Sequence, residues 1–561
     1  MVNDRQSQGS AFRFPSYALP ILAVVCALAV CFASLRHTGS LSFPIDDGYI
    51  YSNYVLSGAQ GHLFTYNAGE TSGGITSLGW YILCIVAYWL LIPLHGLLGG
   101  LAPIEVQTAS ADLAGQTGHL YLAAYLPGLV CLILTALGVY RLAHLVLPQT
   151  NNTPHLRDLV CLLLGALTAA DLGLLWGALS GLEVSLSSAL VVWAIVLLLS
   201  DLRQGVLRWS LLLAALLPWA RPDLLAITGA CGLWLILRAL FSSPADRALA
   251  RRNLLVFAGA SVTGLAAMCA IYFVGWGRPL PSSFYAKVGG LRFGPKMWFA
   301  VQEMILAGRA LPFIAAGLAL LGGVIGMLSS QHSKETDNTA KATNETRWAS
   351  LLLLLASAFY IAALMLTLPW FGQEDRYLLP LHPLVIVLIG ILLWRVIALF
   401  SLDRLLAAPV VRAAVFGIVS LLLVSVDYLW ATRDYAVEVR NIRDAHILPA
   451  LWIASNTDAN SVIASEPIGA VRLFSGRGTI DLVGLTTPAT LGTYRDWPRA
   501  WPALHSAGAT HLFFYPDWFD DATPPAWAEE AQRFSIPDNR IAGSSVIAIY
   551  ALDWSRFVGS P

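Results

Sequence analysis

Residues 18–51 read ALPILAVVCALAVCFASLRHTGSLSFPIDDGYIY. Positions 18–35 carry no charged side chain, and a helix over them is long enough to cross most of a ~30 Å hydrocarbon layer. About ten residues beyond that run, two carboxylates, Asp46 and Asp47, stand side by side. The pattern predicts a membrane helix that delivers acidic residues to one face of a bilayer. Arg5 and Arg13 precede the run and assign the N-terminus to the cytoplasm, so the loop at 36–77 faces outward. No small-residue cleavage site follows, which favours an anchor over a signal peptide.

The whole chain agrees with that start. Of 561 residues, 57% are hydrophobic and 12% charged, against roughly 45–50% and ~25% in soluble domains. Lys+Arg and Asp+Glu number 34 each, for a formal net charge of zero. This composition excludes a nucleic-acid binder, which needs a basic excess, and a disordered chain. The seven cysteines lie in apolar stretches with no CxxC spacing. They predict neither a disulfide framework nor a zinc site.

Charge is unevenly spread. Residues 431–561 carry 24 charged residues and residues 1–430 carry the other 44. We therefore expect a membrane domain over 1–430 and a soluble domain over 431–561. Apolar runs fall at 18–35, 78–98, 119–140, 158–179, 184–200, 207–220, 223–241, 254–276, 304–328, 348–370, 377–399 and 406–430, and predict 11–13 spans. Arginines at 203, 208, 247, 251 and 252, with Lys334, Lys341 and Arg347, mark cytoplasmic loops. The segments near 171–183, 220–223, 277–303 and 371–376, and the C-terminal domain, then face outward. One parity problem arises. The loop at 141–157 looks cytoplasmic, yet two runs separate it from the outward loop at 36–77. Either the 78–101 stretch, broken at Pro93, is re-entrant or a hairpin, or a further helix lies there. The C-terminal domain reads as α/β, with strands near 461–465, 478–484, 510–516 and 544–552 and helix over 525–534.

The outward segments collect polar side chains near the ends of spans. Besides Asp46 and Asp47 they hold Glu70, Glu183, Arg221, Asp223, Tyr285, Lys287 and Arg376, with His382 about two turns inside its run. Ionisable groups at membrane depth are costly and mark function by default, although each one alone could anchor a helix end by snorkelling. Gathered on one face, acids and cations describe a site for a substrate that has a phosphate and a hydroxyl to activate. Two adjacent acids could divide proton transfer between them, or hold a hard divalent cation through oxygen.

The order of these segments resembles the GT-C superfamily of membrane glycosyltransferases. The nearest likeness is to the terminal arabinofuranosyltransferase-like group of bacterial envelope enzymes. The motifs are Asp46-Asp47-Gly48-Tyr49-Ile50, Asn67-Ala68-Gly69-Glu70, Gly74 to Trp80, Ser180-Gly181-Leu182-Glu183, Arg221-Pro222-Asp223, Leu280 to Lys287, Arg376 to Pro380 and Asp481 to Thr486. Gly48 stands where that group has Ala, Ile75 where Tyr is common, and Ser282-Ser283 where it has Asn-Thr. Gly79 is inserted before Trp80.

The resemblance implies a mainly α, polytopic GT-C fold with a soluble α/β domain, in a bacterial cytoplasmic membrane with its site facing outward. It implies a polyprenyl-phosphate-linked sugar as donor and a hydroxyl of an envelope glycan or glycolipid as acceptor. Asp46 or Asp47 then takes the acceptor proton, with Asp46 favoured. Lys287 and Arg376 neutralise the lipid phosphate, and Glu70, Glu183, Asp223, Tyr285 and His382 hold sugar hydroxyls. Arg221 either joins them or pairs structurally with Asp223 or Glu183. GT-C enzymes differ in metal use, so a divalent cation at Asp46/Asp47 stays open. The soluble domain either binds acceptor or covers the site, and its Tyr515, Trp518 and Phe519 either stack on sugar or fill its core. A secondary transporter would show midplane charges and a duplicated half. An assembly protein would not need Asp46-Asp47, Lys287 and Arg376 together.

Overall fold

The computed structural model describes residues 16–147, 154–241, 247–287, 337–367, 376–397, 406, 408–520 and 523–557. Eight helices among the described residues are long and apolar enough to cross a membrane. A ninth span results if Pro154–Ala169 and Leu172–Leu179, which meet at a 47° bend, are counted together. Trp209–Ala220 and Leu379–Trp394 are shorter apolar helices. The 304–328 run lies outside the described residues. The chain is a multi-pass membrane protein.

The parity problem has a geometric answer. Leu78–Leu91 is α-helical and passes into a 3-10 turn over Ile92–Leu97, where Pro93 removes a donor. At its start, the Ser77 hydroxyl donates to the Trp219 carbonyl, 3.1 Å. Past its end, the Leu41 amide donates to the Leu101 carbonyl, 3.1 Å. Leu41 follows the first helix, Ala18–Thr38, and Trp219 precedes Arg221, so both ends of the segment sit at one end of the bundle. Leu78–Leu97 has the length and composition of a span but leaves on the side where it arrives. The helix Ala111–Val146 then makes the single crossing that the charges require.

At the opposite end, Arg157 donates to the carbonyls of Leu147 and His144, Arg203 donates to that of Leu145, and Arg238 pairs with Glu345. Arg157 and Arg203 satisfy backbone acceptors left open where a helix stops.

Hydropathy ends the last run at Trp430, but the helix does not stop there. Pro409–Asn456 is one 48-residue helical stretch, with π-helical turns at Ala431–Tyr435 and Arg443–Ile447. The helix thus carries the chain past the composition boundary near 430 without interruption. The extension is tied back to the bundle. Trp176 Nε1 donates to Glu438 Oε2 at 2.8 Å, both buried, and Tyr435 OH donates to the Leu179 carbonyl at 3.1 Å.

Five strands follow: β1 Val462–Ser465, β2 Gly478–Asp481, β3 His511–Phe514, β4 Ala528–Ser535 and β5 Val546–Leu552. Their order is β2-β1-β3-β5-β4. β1 runs parallel to β2 and β3, while β5 is antiparallel to β3 and β4. Four strands fall where the β-branched and aromatic runs predict them. β4 corrects the helix expected over 525–534. AEEAQRF has helical propensity, but β5 offers an open edge, and pairing along it overrides that preference. β4 bears mostly exposed side chains and a bulge between Glu530 and Gln532, as an edge strand tolerates.

Candidate functional site

The two adjacent acids part company at the start of a helix. Asp47–Ala59 is helical and Asp46 is its N-cap residue. Asp46 does not cap its own helix. Its Oδ2 and Oδ1 accept the amides of Gly469 and Ala470 at 2.7 and 2.9 Å. Those amides open the helix Ile468–Ser475 of the C-terminal domain, where an anion is favoured by unpaired N–H groups and the helix dipole. His446 stands over the same carboxylate. Its Nδ1 is 3.2 Å from Asp46 Oδ1, off line for a hydrogen bond, and its Nε2 is 2.9 Å from Tyr515 OH. Asp46 is buried and joins the two halves of the chain. Asp46 is not among the residues that line the pocket at Asp47.

Asp47, one residue on, lines a pocket of about 120 Å³ with Glu183, Arg221, Asp223 and Arg376. Asp47 Oδ2 is 2.7 Å from Arg376 Nη1. Arg221 is enclosed by acids: Nη1 donates to Glu183 Oε1 at 3.0 Å and Nη2 to Asp223 Oδ2 at 2.7 Å, with Nε also on Asp223. Tyr360 OH donates to Asp223 Oδ2 at 3.3 Å and to the Tyr377 carbonyl at 3.1 Å. Both guanidiniums lie over the Tyr377 ring, Arg221 at 4.9 Å and Arg376 at 5.2 Å from its centroid. Ile50, Leu182, Phe284, Leu364 and Leu485 supply an apolar wall. The pocket lining thus combines charged and apolar side chains.

The departures from the resembled motifs have local reasons. A Cβ on Gly48 would lie 2.5 Å from the Ser180 carbonyl oxygen, so this backbone approach admits only glycine. Ile75 is fully buried, while Gly74 and Thr76 beside it line the pocket. Ser283 Oγ accepts from Thr76 at 2.9 Å, and Ser282 donates to the Leu485 carbonyl. That last bond seats the C-terminal domain against the pocket. Asp481 shapes the turn that carries Leu485 by accepting the amides of Val483 and Thr486 at 2.8 and 2.9 Å.

Other expected site residues lie elsewhere. Glu70 is exposed, on a turn closed by its amide to the Asn67 carbonyl. Tyr285 packs its ring 6.0 Å from that of Trp276, with Arg278 5.2 Å over its face. His382 Nδ1 is 3.1 Å from Asp171, the N-cap residue of Leu172–Leu179, so it joins two helices and does not line the pocket. Lys287 ends the short helix Ser282–Lys287, and its side chain lies outside the described residues. Tyr515 and Phe519 are buried in the sheet domain, and Arg495 covers Trp518 at 4.4 Å. Among the described residues no three His, Cys, Asp or Glu side chains form a metal-holding group.

The solved structures give the fold its place. The crystal structure of ArnT from Cupriavidus metallidurans, bound to undecaprenyl phosphate, superposes with a TM-score of 0.53 over 96% of this chain and 98% of that one, at 13% identity. This chain has the GT-C fold. Archaeal oligosaccharyltransferase AglB from Archaeoglobus fulgidus, in complex with an inhibitory peptide and a dolichol-phosphate, matches with a TM-score of 0.50 over 96% of this chain and 75% of that one, at 11% identity. Residues 438–550, the end of the long helix and the sheet of this GT-C chain, match a family described as a domain of unknown function, DUF8728. Comparison with curated proteins gives no significant match.

Two functional candidates in this GT-C chain carry no signal in the linear sequence. His446 is a histidine within a long helix, aimed at Asp46 by a π-helical turn, a feature frequent at functional sites. Glu466 lies just past β1. Burial, and then Asp46, Asp47 and Asp481, push its carboxyl up to about 8, against a lowering by Arg495. Tyr494 and Tyr515 face the same group. A carboxyl raised on folding holds a proton that the unfolded chain has lost, so stability falls as pH rises from about 4 toward 8. Wild type is expected to lose melting temperature between about pH 5 and pH 9, and Glu466→Gln to lose less. Equal slopes in thermal unfolding would show that Glu466 does not titrate in this window.

The domain junction gives a second expectation. A Cβ on Gly469 would meet the Asp46 carbonyl oxygen at 2.3 Å. Gly469→Ala should cost about 1–3 kcal/mol through overpacking, read as a lower midpoint of thermal unfolding in detergent. An unchanged midpoint would mean that the domain is not clamped on Asp46.

Proposed function

We propose that the chain transfers a glycosyl residue from a polyprenyl-phosphate-linked sugar to a hydroxyl of an envelope glycan or glycolipid, on the outer face of a bacterial cytoplasmic membrane. The observation that supports this best is the pocket itself. Asp47, Glu183, Arg221, Asp223 and Arg376, distant in sequence, converge on one cavity with an apolar wall. A lipid-linked phospho-sugar has the same division into chain, charge and hydroxyls. The solved GT-C structures bound to undecaprenyl phosphate and dolichol-phosphate support a lipid phosphate of this type.

Asp47 is the base in this reading. It takes the acceptor O–H proton as the acceptor oxygen bonds to the anomeric carbon, and the electron pair of the breaking C–O bond goes to the lipid phosphate. Arg376 meets the phosphate, because a guanidinium fork matches phosphate oxygens and its pairing is not saturated as that of Arg221 is. Lys287 is the second cation by motif. Glu183 and Asp223, held by Arg221, present fixed acceptors to sugar hydroxyls.

The test is release of lipid phosphate by the protein in nanodiscs, with a panel of synthetic polyprenyl-phospho-sugars and a mixed glycan acceptor. Release that depends on Asp47 and Arg376 is the expected result. No release and no binding of any donor would overturn the reading.

A further inference from the structure

Arg221 and Arg376 contact the same tyrosine ring but differ in what they can still do. Arg221 spends Nη1, Nη2 and Nε on Glu183 and Asp223. Arg376 gives Nη1 to Asp47 and Nη2 to Tyr377 OH, the latter a long 3.4 Å contact. Its side chain is 6% exposed, while that of Asp47 is 31% exposed and lines the cavity. The cation is therefore fixed, and the acid stands at the open side.

We propose that Asp47 and the lipid phosphate compete for Arg376, so that Asp47 sets which lipid the site retains. The proposal rests on the donor reading above. A bound donor is a phosphodiester with one negative charge. The lipid product is a phosphomonoester with about −1.5 to −2 at neutral pH. A carboxylate 2.7 Å from the phosphate-binding guanidinium penalises both anions, and the more highly charged product more. During transfer the acceptor proton passes to Asp47, which neutralises it and leaves Arg376 to the departing phosphate. When that proton moves on to water or to the phosphate, the Asp47 carboxylate re-forms, reclaims Arg376 and favours release of the product. The same side chain thus takes the proton and clears the site.

The test is a double-mutant cycle on equilibrium binding of undecaprenyl phosphate to the full chain in nanodiscs. Asp47→Asn, which removes the competing charge, is expected to tighten binding about tenfold, and Arg376→Ala to weaken it. In the Arg376→Ala background, Asp47→Asn should then change binding by less than about twofold. If Asp47→Asn tightens binding equally with and without Arg376, simple repulsion acts and the competition is refuted. Weaker binding by Asp47→Asn refutes it as well. If Arg376→Ala does not fold, Arg376→Gln takes its place in the cycle. If no variant binds undecaprenyl phosphate at all, the donor reading falls, and the competition with it.

Discussion

Asp47→Asn is expected to slow glycosyl transfer by about 10²–10⁴-fold, the usual contribution of a positioned base, in a protein that still folds, since the Asn oxygen can still accept from Arg376. The side chain is partly exposed, and the amide is isosteric with the carboxylate. Asp46→Asn should behave in the opposite way. Both Asp46 oxygens accept amide protons at the start of the Ile468–Ser475 helix, and an amide side chain offers only one acceptor oxygen there. The lost charge-assisted bond should cost about 1.5–3 kcal/mol, and activity should fall with stability. Rates and melting curves for both variants, measured on the same donor panel, decide the assignment. Loss of turnover in folded Asp46→Asn with wild-type rates in Asp47→Asn would reverse it.

Arg221→Leu is expected to be the most destabilising single change at the site. It leaves Glu183 and the partly buried Asp223 without their cation, and stranding a buried charge typically costs about 3–5 kcal/mol. The triple change Arg221→Leu, Glu183→Gln, Asp223→Asn should recover part of that stability, since it removes the unpaired charges with their partner. Thermal unfolding followed by tryptophan fluorescence would show the loss and the recovery. A stable Arg221→Leu protein would mean that the pocket is wetter than the geometry of this network implies, and that Arg221 is available to ligand.

Much of the architecture was legible because lipid and water impose strong demands on composition. The runs over 18–35, 184–200 and 254–276 had to be helical, since a strand or loop would leave its backbone groups unpaired in hydrocarbon. The short β-branched runs at 461–465 and 544–552 carried their own signal. One local pattern misled, and another left alternatives open. AEEAQRF favours helix in isolation and became β4 through an edge that only the folded sheet offers. The run at 78–98 has the length of a span, and only the bonds at Ser77 and Leu101 show that it returns to the same end.

The sequence by itself determined that this is a membrane protein, which stretches gather charge, and that the polar segments around Asp46, Glu183, Arg221 and Arg376 belong to one end of the bundle. Composition and period suffice for this, because each helix answers to its solvent. Only the tertiary structure decided which of those residues share a cavity. Asp46 and Asp47 are neighbours in sequence, yet the turn of one helix sends the first to the C-terminal domain and the second to Arg376. Glu70 and His382 have the same chemistry as the pocket residues and lie elsewhere. Side-chain direction follows from helix phase and from partners hundreds of positions away, and no local pattern encodes either.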